Sequence, residues 1–288
     1  IPLMYREEGL DDLVVDHFGL RGRARPDMRS WRRIVNTIKN PKHGSVEVAV
    51  VGKYMNLQDS YRSIYDALVH GGIKNNCRVD VRKVHAEAVE KQGAASLLKG
   101  ADAILVPWGF GKRGIDGKIA AIRYAREKKI PFLGICLGMQ CSVVEFAKDV
   151  AGLEGASSTE FEPRTPHPVI SLMDEQRSVV NKGGTMRLGA YPCVLKGKTK
   201  AFAAYGKREI SERHRHRWEF NPEYRKQLES LGLIVSGTSP DEKLVEMVEL
   251  KDHPWFVACQ FHPELKSRPW CPHPLFAGLI GSALKRKR

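Results

Sequence analysis

The stretch Pro131-Phe132-Leu133-Gly134-Ile135-Cys136-Leu137-Gly138-Met139-Gln140, PFLGICLGMQ, sets one cysteine between two glycines at the end of an apolar run. Ile130 to Ile135 is short and apolar enough for a buried strand, and the residues after Cys136 (LGMQCSVVEFAKDV) have helical spacing. Cys136 therefore falls on a strand-to-helix corner. Small neighbours let the chain turn sharply there and lift a reactive side chain above the sheet edge, while the helix N-terminus favours thiolate over thiol. The corner alone fits a buried structural cysteine equally well, since free cysteines are among the most buried residues. A partner base separates the two readings.

Working outward, 288 residues at 42% hydrophobic suffice for a sizeable core in one or two domains. No apolar run approaches a membrane span and no signal-peptide pattern opens the chain, which reads as soluble and cytoplasmic. Cys77, Cys136, Cys141, Cys193, Cys259 and Cys271 show no paired spacing, so neither a metal site nor a disulfide framework is expected. The chain opens on Ile1 rather than Met, which we read as a piece of something longer. A net charge of +14 raises nucleic acid as a partner, but the basic residues are dispersed and no aromatic-interleaved stripe accompanies them. The terminal Lys285-Arg286-Lys287-Arg288 reads as a solvated tail.

Residues 1–44 are polar, charged and broken by Gly and Pro, with a helix expected near Asp27 to Ile38 and a turn at NPKHGS; they look like a linker. From residue 45 strands alternate with helices: VEVAVVGKY, then a helix with an Asp cap and a Gly-Gly stop in DSYRSIYDALVHGG, then CRVDVRKVHA, ADAILVPWGFG, the helix GKIAAIRYAREKK and IPFLGIC. This predicts an α/β fold with a mostly parallel central sheet and helices on both faces, its active residues at the C-terminal strand ends. Both Cys136 and the PWGFG loop fall at such ends. The second half is less regular, with a Gly-rich segment read as mobile, NKGGTMRLGA, and a last strand, HPWFVACQFHPEL, that runs into His262 and Glu264. A cysteine hydrolase needs a base and a carboxylate to orient it, and His262-Pro263-Glu264 supplies both.

Together GICLGMQ and QFHPE resemble the elbow and His/Glu pair of class I, triad-type glutamine amidotransferases, a flavodoxin-like fold. KYMNLQDSYRSIYDAL, GKRGIDGKIAAIRYAR, STEF, GGTMRLGA, ERHRHRWEFNPEY and HPWFVACQFHPE narrow the likeness to glutaminase domains of the CTP synthase family, across nearly the whole chain. The resemblance implies that residues 1–44 are the tail of an amidoligase domain and the interdomain linker, with the glutaminase at 45–288. It implies Cys136 as nucleophile, His262 as proton carrier and Glu264 as its orienting group. It further implies an oxyanion hole from the backbone N–H groups of Trp108 and Leu137, and glutamine held by Gly109, Phe110, Gln140, Glu160 and Arg217. The resemblance also implies that Arg187 falls near a lid through which GTP stimulates hydrolysis. This chain itself would carry no cofactor; ATP, Mg2+ and the GTP effector, the amination of UTP to CTP and a homotetramer belong to the full-length enzyme, and no GxxxxGK[ST] phosphate loop occurs here.

One position departs from the family pattern. Where relatives have PGGFG, this chain has PWGFG. If the first glycine serves a backbone with positive φ, Trp108 strains the loop, and replacing it with glycine would raise kcat/KM by at least about tenfold. Three classes of function follow: a glutamine-hydrolysing enzyme, a regulatory or interaction module disabled by Trp108, and a nucleic-acid-binding domain favoured by charge alone.

Overall fold

The computed structural model describes residues 1–20, 27–172 and 186–287. Three helices come first, α1 (Pro2–Glu7), α2 (Leu10–His17) and α3 (Arg29–Lys39). The alternating part follows as β1 (Ser45–Gly52), α4 (Arg62–Asn75), β2 (Arg78–His85), α5 (Ala86–Gln92), α6 (Ala94–Leu98), β3 (Ala103–Val106), α7 (Ile115–Glu127), β4 (Phe132–Ile135) and α8 (Leu137–Asp149). The remainder is β5 (Ser157–Ser158), β6 (Pro168–Leu172), β7 (Arg187–Leu195), α9 (Lys200–Tyr205), β8 (Glu209–His216), β9 (Trp218–Phe220), α10 (Arg225–Ser230), β10 (Leu233–Thr238), β11 (Val245–Leu250), β12 (Phe256–Cys259) and α11 (Pro274–Lys287).

A nine-stranded sheet runs β2-β1-β3-β4-β12-β11-β10-β7-β8, and β5, β6 and β9 form a small second sheet. The expected parallel sheet with helices on both faces is the half from β2 to β12; the other half, β12 through β8, is antiparallel, so the sheet as a whole is mixed. The connections explain part of this. Only residues 239–244 join β10 to β11 and 251–255 join β11 to β12, too few for the crossover that parallel neighbours need. Side chains alternate across β1: Ala49 and Val51 pack with Ile104, Phe132 and the α7 and α8 residues Ile122 and Val143, while Val46, Val48 and Val50 pack with Leu105, Leu133 and the α4 and α11 residues Leu68 and Leu279. No helix among the described residues is long and apolar enough to cross a membrane.

Residues 1–44, read as tail and linker, carry three helices among those described. The helix expected near Asp27 to Ile38 is α3, which buries Ile34 and sets Trp31 edge-on to Trp270 with ring centroids 5.3 Å apart. The expected limits of α4 are corrected. Asp59 lies in a 3-10 turn, α4 starts at Arg62 without a side-chain cap, and the helix passes through Gly71 and Gly72 to end at Asn75, with Asn76 as its cap at φ 53. These glycines serve close contact instead of termination: a Cβ on Gly71 would stand 2.9 Å from the Phe276 carbonyl oxygen, and one on Gly72 2.7 Å from that of Cys77.

The two glycines around Cys136 have the same kind of reason. A Cβ on Gly138 would lie 2.0 Å from the Val106 carbonyl oxygen, and one on Gly134 2.9 Å from the Gly138 backbone. The first turn of α8 is thus pressed onto the ends of β3 and β4. Gly138→Ala is expected to lower unfolding free energy by about 1–3 kcal/mol through this overlap. Gly197→Ala, where a Cβ meets nothing within 4 Å, should change it by no more than about 0.5 kcal/mol. Urea unfolding of the two variants checks the contrast.

Candidate active site

Parallel strands end at one edge of the sheet, and four of them pass a polar or reactive residue into the space beyond. β1 leads to Lys53, β3 to the loop 107–111, β4 to Cys136 and β12 to Gln260 and His262. In-register pairing sets Val106 beside Gly134 and Ile135 beside Cys259, so the loop, the cysteine and the histidine emerge side by side.

Cys136 stands at the N-cap of α8 with φ 54 and ψ −104, a backbone state that a residue with a side chain holds only when its surroundings enforce it. Enforcement comes from both sides. Its N–H donates to the Cys259 carbonyl at 2.7 Å, and its carbonyl accepts from the N–H groups of Met139 and Gln140 at 3.0 and 3.1 Å. Gln260 Nε2 donates to Sγ at 3.6 Å. Leu137 is the first residue of α8, and an N–H at that position has no partner within its own helix.

Pro263 opens a 3-10 turn that brings Glu264 back to His262, whose Nδ1 lies 2.8 Å from Glu264 Oε1. Both are buried. Burial works against a charge on the imidazole, but the Glu264 carboxylate and Cys136 together outweigh it and lift His262 to about 10. The other ring nitrogen, Nε2, is buried and closes no hydrogen bond of normal geometry, which leaves it available to a proton in transit. Trp108, Phe110, Cys136, His262 and Glu264 line one cavity of about 80 Å³, together with Ser63, Arg215 and Leu265. A larger hollow of about 870 Å³ beside Glu219 and Asn221 brings no cysteine or histidine to its wall.

The other expected residues gather around this cavity to different degrees. Gln140, one turn into α8, donates through Nε2 to the Trp218 carbonyl at 3.0 Å and to Gln260 Oε1 at 3.2 Å. Glu160 accepts the Gly111 N–H at 2.8 Å and so holds the loop that carries Gly109 and Phe110. Arg217 is buried between β8 and β9; from that basic stretch Arg215, unexpected from the sequence, reaches the cavity. The strain expected at Trp108 is absent. Its φ is not positive, so the loop takes tryptophan in an ordinary conformation, with the indole packed edge-on to Tyr61 at 5.3 Å and 6.3 Å from the His262 ring.

Arg187 does not lie on a loop. It begins β7, buried, with its guanidinium bonded to Glu246 at 2.7 Å and Glu219 at 3.3 Å; residues 181–185 of the Gly-rich stretch lie outside the described residues. Beside it His214 and His216 share a hydrogen bond of 2.9 Å. Burial drives both rings down, His214 to about 2 with help from His216 and Arg187, and His216 to about 3 with help from Arg187 and His262. Burial raises Glu219 and Glu246 in turn.

Sequence reasoning missed Gln260, Lys53, Lys118 and Tyr61. Lys118 left a signal, since it stands three residues after Ile115 and four before Ile122, on the apolar face of its helix. Lys53 and Tyr61, by contrast, carry no pattern that separates them from surface residues.

The sequence pattern of the family Glutamine amidotransferase class-I matches residues 56–282. The chain is 56% identical over its full length to CTP synthase of Carboxydothermus hydrogenoformans, of which it covers 54%, and 54% identical to that of Syntrophus aciditrophicus, of which it covers 53%. It thus spans about half the length of these curated relatives. Among solved structures it is similar to the Trypanosoma brucei CTPS glutaminase domain with bound acivicin, with a TM-score of 0.78 and 37% identity, covering 83% of this chain and 94% of that one.

The neutral histidine pair makes a pH prediction. A histidine lowered in the fold contributes stability that is present above its unfolded value, near 6.5, and is lost as pH falls below it; raised Glu219 and Glu246 act in the opposite direction. The difference between variant and wild type isolates one ring. Relative to wild type, His216→Gln is expected to lose less stability on acidification, by roughly 1.4 kcal/mol per pH unit between about 6 and 4. Urea titrations at stepped pH read this slope.

Proposed function

The chain belongs to the class-I glutamine amidotransferases, as a glutaminase domain of the CTP synthase kind, and on that premise we propose that Cys136, His262 and Glu264 hydrolyse glutamine to glutamate and ammonia. One observation carries the assignment: a cysteine in an enforced elbow shares a cavity with a histidine whose far nitrogen is bonded to a carboxylate. Sγ, its proton passed to His262, adds to the side-chain amide carbon, and the carbonyl electron pair moves onto oxygen, to which the N–H groups of Leu137 and Trp108 donate. His262, protonated because Glu264 raises it, gives its proton through Nε2 to the amide nitrogen. The C–N bond breaks, ammonia leaves, and water opens the glutamyl thioester to glutamate and free thiol.

Arg217 and Glu160 suit the charged end of the amino acid, and Gln140, Gly109 and Phe110 its flank. The relatives' greater length supports the wider reading, in which ammonia passes to an amidoligase domain that uses ATP and Mg2+ to aminate UTP, with residues 1–44 as its tail and linker and 45–288 as the glutaminase. GTP activation, a part for Arg187 in closing the site, a homotetramer and a cytoplasmic location belong to the same proposal.

Glutamate release from glutamine tests the core of it. Cys136→Ala is expected to abolish release and His262→Ala to come close, with Glu264→Ala milder because an orienting group contributes less than the base it orients. A glutamine analogue bearing an electrophile should label Cys136 and leave Cys141 and Cys259 untouched. Undiminished turnover in Cys136→Ala overturns the reading. Since Trp108 carries no backbone strain, Trp108→Gly is now expected to leave kcat within about threefold, to lower KM by opening the cavity, and to cost about 1–3 kcal/mol of stability through lost packing. Steady-state kinetics with a melting curve separate these effects.

A further inference from the structure

Lys118 is fully buried, and Lys53 nearly so. Neither closes an ion pair with a carboxylate among the described residues, and an uncompensated ammonium in a core is destabilising in itself. Both are instead spent on one loop. Lys118 Nζ donates to the Pro107 carbonyl at 2.7 Å. Lys53 Nζ donates to the Phe110 carbonyl at 2.8 Å and also to the Gly111 carbonyl. Tyr61 Oη donates to the Trp108 carbonyl at 3.3 Å, and Glu160 takes the Gly111 N–H.

Peptide geometry gives the first of these contacts its meaning. The Pro107 carbonyl and the Trp108 N–H belong to one peptide unit, which is trans, so they point in opposite directions. A carbonyl drawn into the core by Lys118 turns the Trp108 N–H out of it, on the side where Trp108 and Cys136 line the cavity. We propose that Lys118 is a positioning residue for acyl transfer: its ammonium holds the Pro107 carbonyl and thereby aims the Trp108 N–H at the oxyanion, while Tyr61 and Lys53 fix the peptides that follow. This inference rests on the glutaminase reading and adds to it the group that keeps the donor preorganised. Burial lowers Lys118 to about 8, and neighbouring Lys53 adds to that while Cys141 and Cys136 oppose it, so the side chain stays largely cationic at neutral pH.

The test compares Lys118→Met with wild type in the 288-residue chain, by glutamine kinetics and by alkylation of Cys136 with iodoacetamide. Alkylation displaces iodide from carbon without forming an oxyanion, so it reads thiol reactivity apart from the loop. We expect kcat to fall by at least about 30-fold, a good part of the loss of one oxyanion donor, with KM within about threefold and the alkylation rate within about threefold. Unchanged kcat overturns the inference. So does an alkylation rate that falls in step with kcat, which would mean that Lys118 acts on the thiol. If Lys118→Met does not fold, Tyr61→Phe, which frees the next carbonyl of the loop, carries the test: a kcat loss of about threefold or more without an alkylation defect supports it, and unchanged kcat refutes it. A wild-type chain without turnover refutes the glutaminase reading and this inference together, whereas active wild type with unaffected variants refutes this inference alone.

Discussion

At the start of α8 the backbone of Gly138 runs so close to the Val106 carbonyl that any side chain there would overlap it. This contact brings the helix down onto the ends of β3 and β4, and the chain can enter it only through a sharp corner at Cys136, held at φ 54 by hydrogen bonds to Cys259, Met139 and Gln140. The placement of the thiol is therefore a packing result. Because β3, β4 and β12 are parallel and in register, the same contact also decides that the 107–111 loop and His262 arrive beside the thiol.

Electrostatics then divide the site into parts with different tasks. On one side, a carboxylate raises His262 until it holds a proton ready for a leaving group. Beneath the loop, two buried ammonium groups are bound to carbonyl oxygens, which leaves the opposite faces of those peptides to serve as donors. Behind His262, a neutral histidine pair and Arg187 with two carboxylates fill the space between β7, β8 and β11. A strained backbone at Cys136, the buried ammonium groups of Lys53 and Lys118 and the His262 Nε2 thus meet around one cavity, as preorganised sites require.

The elbow was legible because its spacing is short and its constraint local: two glycines, an apolar run and a helix leave few other shapes. His262 and Glu264 were legible for the same reason, being two residues apart at a strand end. The antiparallel half of the sheet was not, since strand direction there follows from short connections whose ends the sequence does not mark. Gly71 and Gly72 misled, because a glycine required by close contact, with α11 for Gly71 and with the Cys77 carbonyl for Gly72, looks the same in sequence as one that stops a helix. Trp108 misled in another way: whether a bulky residue strains the loop depends on its φ angle, which the sequence does not give. Lys53 and Lys118 escaped because lysine in a helix or after a strand is ordinarily exposed, and only the carbonyls of a distant loop reveal their use.

The central claim is that Cys136, set in this corner, takes the acyl group of glutamine. Rapid acid quenching of the chain during turnover, followed by mass spectrometry of its cysteine peptides, addresses that claim most directly. The account predicts a glutamyl thioester on the peptide that contains Cys136, formed before glutamate accumulates and removed by hydroxylamine. Glutamate produced with no such adduct, or an adduct on Cys141 or Cys259 in its place, would contradict it.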